Sequence, residues 1–319
     1  MAKKRVLVTA TNYSVYCSAA KSLLEANDVE IIENGFGRPM TKEELLAVVS
    51  DIDGVVVGVD SWNEEIFAHA PKLQAMARFG VGVDNIDLTA AKEHGIKVTN
   101  AKGMNANPVA ELTVGMIISS LRNMPAFNSS IREGKWDRFM GRDLSGMTIG
   151  LLGFGDIAQR VARKLSGFDV TICAYDLYPN MEKAKQLNVE MVSMEEVLHR
   201  ADVVCMHLPS LPSTYHIMND QTFEQMKAGS YFINTARGAL VDESALAKAL
   251  QNGKLTAAAI DVFEQEPVRA NNPLFSLPNL FATPHTAAET YETYHNVGLA
   301  TARQILDVFA GKTPNNLLN

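Results

Sequence analysis

Cysteine is scarce. Only three occur in 319 residues, Cys17, Cys173 and Cys205. They are too few and too scattered for a disulfide framework, and no CxxC pair suggests zinc. Their apolar, β-branched neighbours predict small core residues in a reducing compartment. No metal site is expected. Long apolar runs are also missing: none approaches the ~18 residues of a membrane span. Behind the positive cluster in residues 2–10 the apolar stretch is only Val6-Leu7-Val8, too short for a signal-peptide core. The expectation is a soluble, cytoplasmic protein without a membrane partner. Positive charge is not in excess either. Lys and Arg number 29 against 36 Asp and Glu, a net charge of −7. Such a surface repels phosphate backbones, which argues against nucleic acid as the main partner. A local basic pocket for a small anion stays open. No low-complexity segment or solenoid-period repeat is present.

What is present is core-forming material. Hydrophobic residues make up 47% and charged residues 20% of the chain, too apolar for wholesale disorder. The length suggests two domains or one large α/β domain. Short β-branched runs alternate with helical patterns. Arg5–Thr9, Val29–Ile32, Gly54–Val57 and Gln74–Phe79 read as strands. Thr41-Lys-Glu-Glu44 reads as a capping box that opens a helix. Residues 108–124 form one long, mostly apolar helical stretch, with Pro108 suited to a first turn. A second alternation follows from Gly146. Its strands are Thr148–Leu152, Val170–Tyr175, Val203–Met206, Tyr231–Asn234 and Ala257–Ile260. Ser193-Met-Glu-Glu196 is another capping box, and Asp242 caps a helix through Leu250. Residues 287–310 complete the helical pattern. Strands separated by helices argue for parallel sheets with helices on their faces.

Gly153-Phe-Gly155-Asp-Ile-Ala158 follows one of these strands and opens a helix. This is a GxGxxG/A fingerprint. The first glycine allows a tight turn, the second lets backbone N–H groups approach a pyrophosphate, and the third small residue lets helix and strand pack. The helix N-terminus adds partial positive charge. Gly153, Gly155, Asp156 and Ile157 are therefore expected at a dinucleotide. Asp176 ends the next strand and can bond the ribose hydroxyls. Its carboxylate repels a 2′-phosphate, and no Arg or Lys follows in Leu177-Tyr-Pro-Asn180. NAD is expected rather than NADP.

Three further segments place reactive side chains after strands: Asn234-Thr-Ala-Arg237-Gly238, Asp261-Val-Phe-Glu-Gln-Glu266-Pro267 and Thr283-Pro-His285-Thr286. Ligands in open α/β sheets bind beyond the carboxyl ends of strands, so all three can reach one crevice. Each residue alone has a structural alternative: an ion pair for Arg237, a loop imidazole for His285, an exposed Glu266.

The chain resembles the D-isomer-specific 2-hydroxyacid dehydrogenase family. The runs that carry this are Ala77-Arg-Phe-Gly-Val-Gly-Val-Asp-Asn-Ile86, Val109-Ala-Glu-Leu-Thr113, Gly150–Gly155, His207-Leu-Pro209, Ile233–Asp242, Asp261–Pro267 and Thr283-Pro-His285. They span most of the chain in the family's order. The resemblance implies two Rossmann-like/flavodoxin-like parallel-sheet domains. The substrate domain would be discontinuous, 1–101 plus 287–319, and the NAD-binding domain 102–286. His285 would be the general acid/base, and Glu266 would hydrogen-bond its imidazole, fix the tautomer and favour its charged form. Arg237 would grip the substrate carboxylate and the 2-oxo oxygen. Backbone N–H groups of Gly80, Val81 and Gly82 would hold the carboxylate. Asp261 would receive the nicotinamide carboxamide, Thr235 and Ala236 would line that pocket, and His207, Pro209 and Thr214 would shape the ribose side. Arg78 would face the substrate or simply brace the strand end.

Gly134-Lys-Trp-Asp-Arg138 gives the texture of the phosphoglycerate dehydrogenase branch. The loop Gly58-Val-Asp60-Ser-Trp62 departs from it, since that branch often carries a cation there. Asp60 would repel a phosphate, and Trp62 would offer bulk and an indole N–H. Arg38, Arg138 or Arg142 could substitute. At this length the carboxy-terminal regulatory domain of that branch is not expected. Three readings follow: a dehydrogenase for a small 2-hydroxy acid such as 3-phosphoglycerate, a glyoxylate or hydroxypyruvate reductase, and an NAD(H)-sensing binding protein of the same fold. The helix 108–124 would also build a homodimer.

Overall fold

The computed structural model describes residues 3–319. The chain divides into two units, Met1–Asn105 with Glu289–Asn319, and Ala106–Ala288. The cuts fall a few residues beyond 101 and 286, because the helix Ala106–Leu121 begins at the first of them.

The first unit holds β1 (Lys4–Val8), β2 (Val29–Glu33), β3 (Gly54–Val57), β4 (Ala75–Arg78) and β5 (Lys97–Thr99), parallel throughout in the order β2-β1-β3-β4-β5. Side chains alternate across the sheet. Leu7, Val55, Val57 and Met76 fill one core, and Val6, Val8, Val56 and Ala77 the other. Both faces are covered, so the strands read as unbroken apolar runs. The helix Tyr291–Phe309 covers the second face with Tyr294, Ala302 and Ile305. Gly298 lets it approach: a Cβ there would sit 2.8 Å from Cys17 Sγ. Gln304 Nε2 then donates to Asn100 O at 3.0 Å. These contacts return the last thirty or so residues to the first unit.

The second unit holds β6 (Thr148–Leu152), β7 (Thr171–Tyr175), β8 (Val189–Met191), β9 (Val203–Met206), β10 (Ser230–Asn234), β11 (Leu255–Ile260) and β12 (Leu280–Ala282). They form one parallel sheet, β12-β11-β10-β9-β6-β7-β8. Chain direction along the sheet reverses between β6 and β9. Their carboxyl ends therefore flank a crevice, and Gly153–Gly155 and His207–Pro209 lie there. Ile149, Leu151, Tyr231 and Ile233 pack on one face, Leu152, Val204 and Phe232 on the other. Each such buried aliphatic or aromatic side chain contributes roughly 1.5–3 kcal/mol.

Local signals formed as the side chains require. Thr41 and Ser193 make reciprocal capping boxes with Glu44 and Glu196, and Asp242 caps Glu243–Gln251. The stretch 108–124 is not one helix. It ends at Leu121, Asn123 turns left-handed at φ 52°, and Met124–Arg132 starts anew with Pro125 in its first turn. Asn tolerates that conformation, and a proline inside a continuous helix would lose a hydrogen bond. The tail helix starts at Tyr291, where Thr290 Oγ1 accepts from Thr293 N. No helix among the described residues is long and apolar enough to cross a membrane. None of their His, Cys, Asp and Glu side chains form a group able to hold a metal.

Candidate active site

The glycine turn is built for close approach. Gly153 has φ +99°, and a Cβ on it would lie 2.7 Å from the His207 backbone carbonyl. Only glycine fits both demands. Gly155 is the N-cap of the helix Asp156–Leu165, makes no side-chain cap, and would point a Cβ into open space. The first-turn N–H groups thus keep their capacity for an anion. Ala158 is buried where helix meets sheet, Ile157 is half-buried, and Asp156 pairs with Arg160. Asp176 Oδ2 accepts from Phe154 N at 2.7 Å and Oδ1 from Tyr178 N at 2.8 Å. Each oxygen retains a lone pair for a ribose hydroxyl. His207 Nε2 is buried without a partner among the described residues, and burial lowers the ring's pKa to about 4. A neutral imidazole with an unmet nitrogen fits a sugar hydroxyl. Thr214 Oγ1 donates to Pro209 O at 2.7 Å and braces that turn. These residues fit a bound NAD.

Beyond the ends of β10, β11 and β12 lie Arg237, Glu266 and His285. His285 Nδ1 stands 2.6 Å from Glu266 Oε2. An ionised carboxylate can only accept, so Nδ1 carries the proton and Nε2 is left for a substrate. Glu266 Oε1 accepts from Phe263 N at 3.0 Å. Burial raises the Glu266 pKa, but the His285 hydrogen bond and charge, the Phe263 N–H and Arg237 outweigh it and hold the carboxyl below its ordinary range. Arg237 Nη1 donates to Ala236 O at 2.7 Å, while Asn234 ties the turn through Ala236 N and Arg237 O. Thr235 Oγ1 meets Thr113 Oγ1 at 2.8 Å.

Asp261 also holds the turn that carries His285. It is 0% exposed. Its Oδ1 accepts from Thr283 Oγ1 at 2.5 Å and Thr286 N at 2.9 Å, and Oδ2 from Ala287 N at 2.9 Å. The turn wraps this carboxylate and holds His285 in the left-handed region at φ 54°. Two residues escape any reading of local pattern. Gly238 lies so near Phe263 that a Cβ would be 1.9 Å from its carbonyl. Thr113 reaches Thr235 across 122 residues. No periodicity or motif signals either contact.

In the first unit, Gly80 has φ +153°. Arg78 Nε donates to Gly82 O at 3.0 Å and Nη1 to Phe79 O at 2.6 Å, and Asn100 Nδ2 donates to Val81 O at 2.8 Å. Arg78 thus braces the strand end, and the loop's carbonyls are held. The N–H groups of Val81 and Gly82 have no protein acceptor among the described residues. The reading of Asp60 is corrected. It is 2% exposed and accepts from Met40 N at 2.6 Å, and Trp62 is 1% exposed in the core. Burial first raises the Asp60 pKa, and hydrogen bonds with Thr9 and Met40 moderate the rise. The loop needs this carboxylate internally, so Asp60 is not a charge presented to a substrate. Arg38 is held by Glu44 through two hydrogen bonds of 2.7 and 2.9 Å.

A family model described as D-isomer specific 2-hydroxyacid dehydrogenase, NAD binding domain, matches residues 114–287. The chain belongs to the D-isomer specific 2-hydroxyacid dehydrogenase family. Its cofactor is NAD. Among its relatives, the D-3-phosphoglycerate dehydrogenase of Methanocaldococcus jannaschii is 41% identical over 305 residues, 94% of this chain and 57% of that protein. The glyoxylate reductase of Thermofilum pendens is 36% identical over 327 aligned positions, covering 100% and 95%. The chain spans just over half the length of the phosphoglycerate dehydrogenases it matches. A solved Thermus thermophilus structure superposes with a TM-score of 0.91 at 34% identity, covering 99% of this chain and 100% of that one.

Proposed function

We propose that the protein transfers a hydride between C2 of a small D-2-hydroxy acid and NAD, and the reverse for the 2-oxo acid. The observation that carries this is the 2.6 Å His285–Glu266 contact beside Arg237, in the same unit as the glycine turn. NAD, when bound, supplies the carbon that takes or gives the hydride. His285 Nε2 takes the C2 hydroxyl proton in oxidation and returns it in reduction. Glu266 fixes the tautomer and stabilises the imidazolium. Arg237 pairs with the substrate carboxylate and polarises the 2-oxo group. In the first unit, the Val81 and Gly82 N–H groups, which have no protein acceptor among the described residues, can donate to a carboxylate. Thr235, Ala236 and Asp261 border the nicotinamide, and His207, Pro209 and Thr214 the ribose. Asp261 Oδ2 accepts one hydrogen bond and can take a second.

The substrate we put first is 3-phosphoglycerate, supported by relatives of that name and by the burial of Asp60, which removes the expected repulsion. The glyoxylate reductase relative supports a second reading, an unphosphorylated 2-oxo acid. We also propose a homodimer through Met124–Arg132 and the loop after it, where Met140 is 95% and Trp136 84% exposed. Large apolar side chains this exposed suit an interface. Purified protein with NADH is offered phosphohydroxypyruvate, hydroxypyruvate, glyoxylate and pyruvate, and reduced nicotinamide absorbance is followed. Preference for the phosphorylated acid is expected. Preference for glyoxylate supports the second reading, and no turnover with any acid favours the NAD(H)-sensing protein. Sedimentation at monomer mass would remove the dimer.

A further inference from the structure

Behind the Arg237 and Glu266 loops lies an exchange that the proposed reaction does not use. The N–H of Glu243 donates to Glu264 Oε1 at 2.7 Å. The N–H of Glu264 donates to Glu243 Oε1 at 2.8 Å. The two residues lie 21 apart in the chain, yet each carboxylate closes on the other's backbone. Two such carboxylates repel, so other groups must offset them. Asn272 Nδ2 donates to Glu243 Oε2 at 2.7 Å. His216 Nε2 lies 3.4 Å from Glu264 Oε2. Glu243 also opens the helix Glu243–Gln251, whose N-terminus favours negative charge.

The clasp joins the two loops that carry chemistry. Glu243 follows the Arg237–Val241 turn, and Gly238 in that turn touches the Phe263 backbone. Glu264 stands two residues before Glu266. The Phe263 N–H, one residue back, holds Glu266 Oε1 at 3.0 Å, and Oε2 of the same carboxylate meets His285. A shift of the Val262–Glu264 backbone would carry the Phe263 donor away from Glu266. Glu243 opposes that shift by holding the Glu264 N–H, and Glu264 by holding the Glu243 N–H.

We propose that Glu243 and Glu264 are positioning residues, and that their reciprocal clasp acts through Glu266 to hold His285 in its working orientation. This rests on the dehydrogenase reading only for the rate measurements. Glu264→Ala, Glu264→Gln, Glu243→Ala and the double alanine variant are compared in the full-length protein. The first readout needs no turnover: the low-field proton resonance of His285 Nδ1–H bonded to Glu266. It should vanish in both single alanine variants and persist in Glu264→Gln, whose amide oxygen still accepts from Glu243. The second is 2-oxo acid reduction. Each alanine variant should lose at least about tenfold in kcat, keep its KM for NADH, and show a displaced acid limb in the kcat–pH profile. The double variant should be no worse than either single one, as for groups acting as one unit.

Should Glu264→Ala not fold, Glu264→Asp replaces it, keeping the charge while shortening the reach. It should lose the resonance as the alanine variant does. Retention of resonance and kcat in the alanine or aspartate variants, with only a lowered Tm, overturns the proposal. So does Glu264→Gln as impaired as the shortened variants, which would put the effect in the charge facing His216. A wild type that reduces no 2-oxo acid refutes the function proposed above, and leaves the resonance test standing.

Discussion

Adding one methyl group at Gly238 tests the geometry between the β10 and β11 loops. A Cβ there would lie 1.9 Å from Phe263 C and O and 2.5 Å from Glu264 N. Cβ contacts below 3.0 Å essentially do not occur, so the shortfall is about 1.1 Å. The opposing atoms are backbone, and no side chain can rotate out of the way. Gly238 is not at positive φ, so the penalty of Gly238→Ala is packing alone. Overpacking of this kind costs about 1–3 kcal/mol. For a domain of this size each kcal/mol lowers Tm by roughly 2–4 °C. The larger effect is on rate. Residue 238 adjoins Arg237, and Phe263 donates to Glu266, so the displacement falls on both. A misplacement of about 1 Å can cost about 10²-fold. The assay is steady-state reduction of the preferred 2-oxo acid by NADH, with NADH binding followed by fluorescence. We expect kcat to fall about a hundredfold with NADH affinity little changed, since Gly153–Gly155 follows a different strand. Wild-type kcat and Tm in Gly238→Ala would refute the reasoning.

Two further outcomes follow from the site. His285→Ala should abolish turnover and leave NADH binding nearly intact; full activity would remove His285 from the acid/base role. Glu266 has its carboxyl held below the usual range by His285 against the opposing effect of burial. A depressed folded pKa stabilises the protein above the unfolded carboxylate value of about 4.3, and that stabilisation fades as pH falls through the lowered value. The Tm gap between wild type and Glu266→Gln should therefore be steady near neutrality and close in acid. A gap that widens toward low pH would contradict it.

Much of the fold is legible along the chain because its causes are short-range. A capping box needs residues three apart, and Thr41–Glu44 and Ser193–Glu196 form as written. The alternation of apolar runs with helical patterns shows as two parallel sheets. The long helix misread at Asn123 shows the limit of that reasoning: apolar composition continues through the break, while one left-handed residue and Pro125 end the hydrogen-bond ladder. Asp60 shows the other limit. Its loop position suggested a surface charge, and burial with the Met40 N–H made it internal.

By itself the sequence determined that a glycine turn opens a helix after β6, that an acid ends β7, and that Arg237, Glu266 and His285 each follow a strand. Those features depend on neighbours within a few residues. Only tertiary structure decided that Glu289–Asn319 rejoins the first unit, where Gly298 admits Cys17 and Gln304 reaches Asn100. It also decided that Gly238 must be glycine, that Asp261 supports the His285 turn, and that Glu243 and Glu264 close on each other. Each of these is a contact of ångström tolerance between segments 20 or more residues apart. Their distances depend on strand register and packing, which no local pattern encodes.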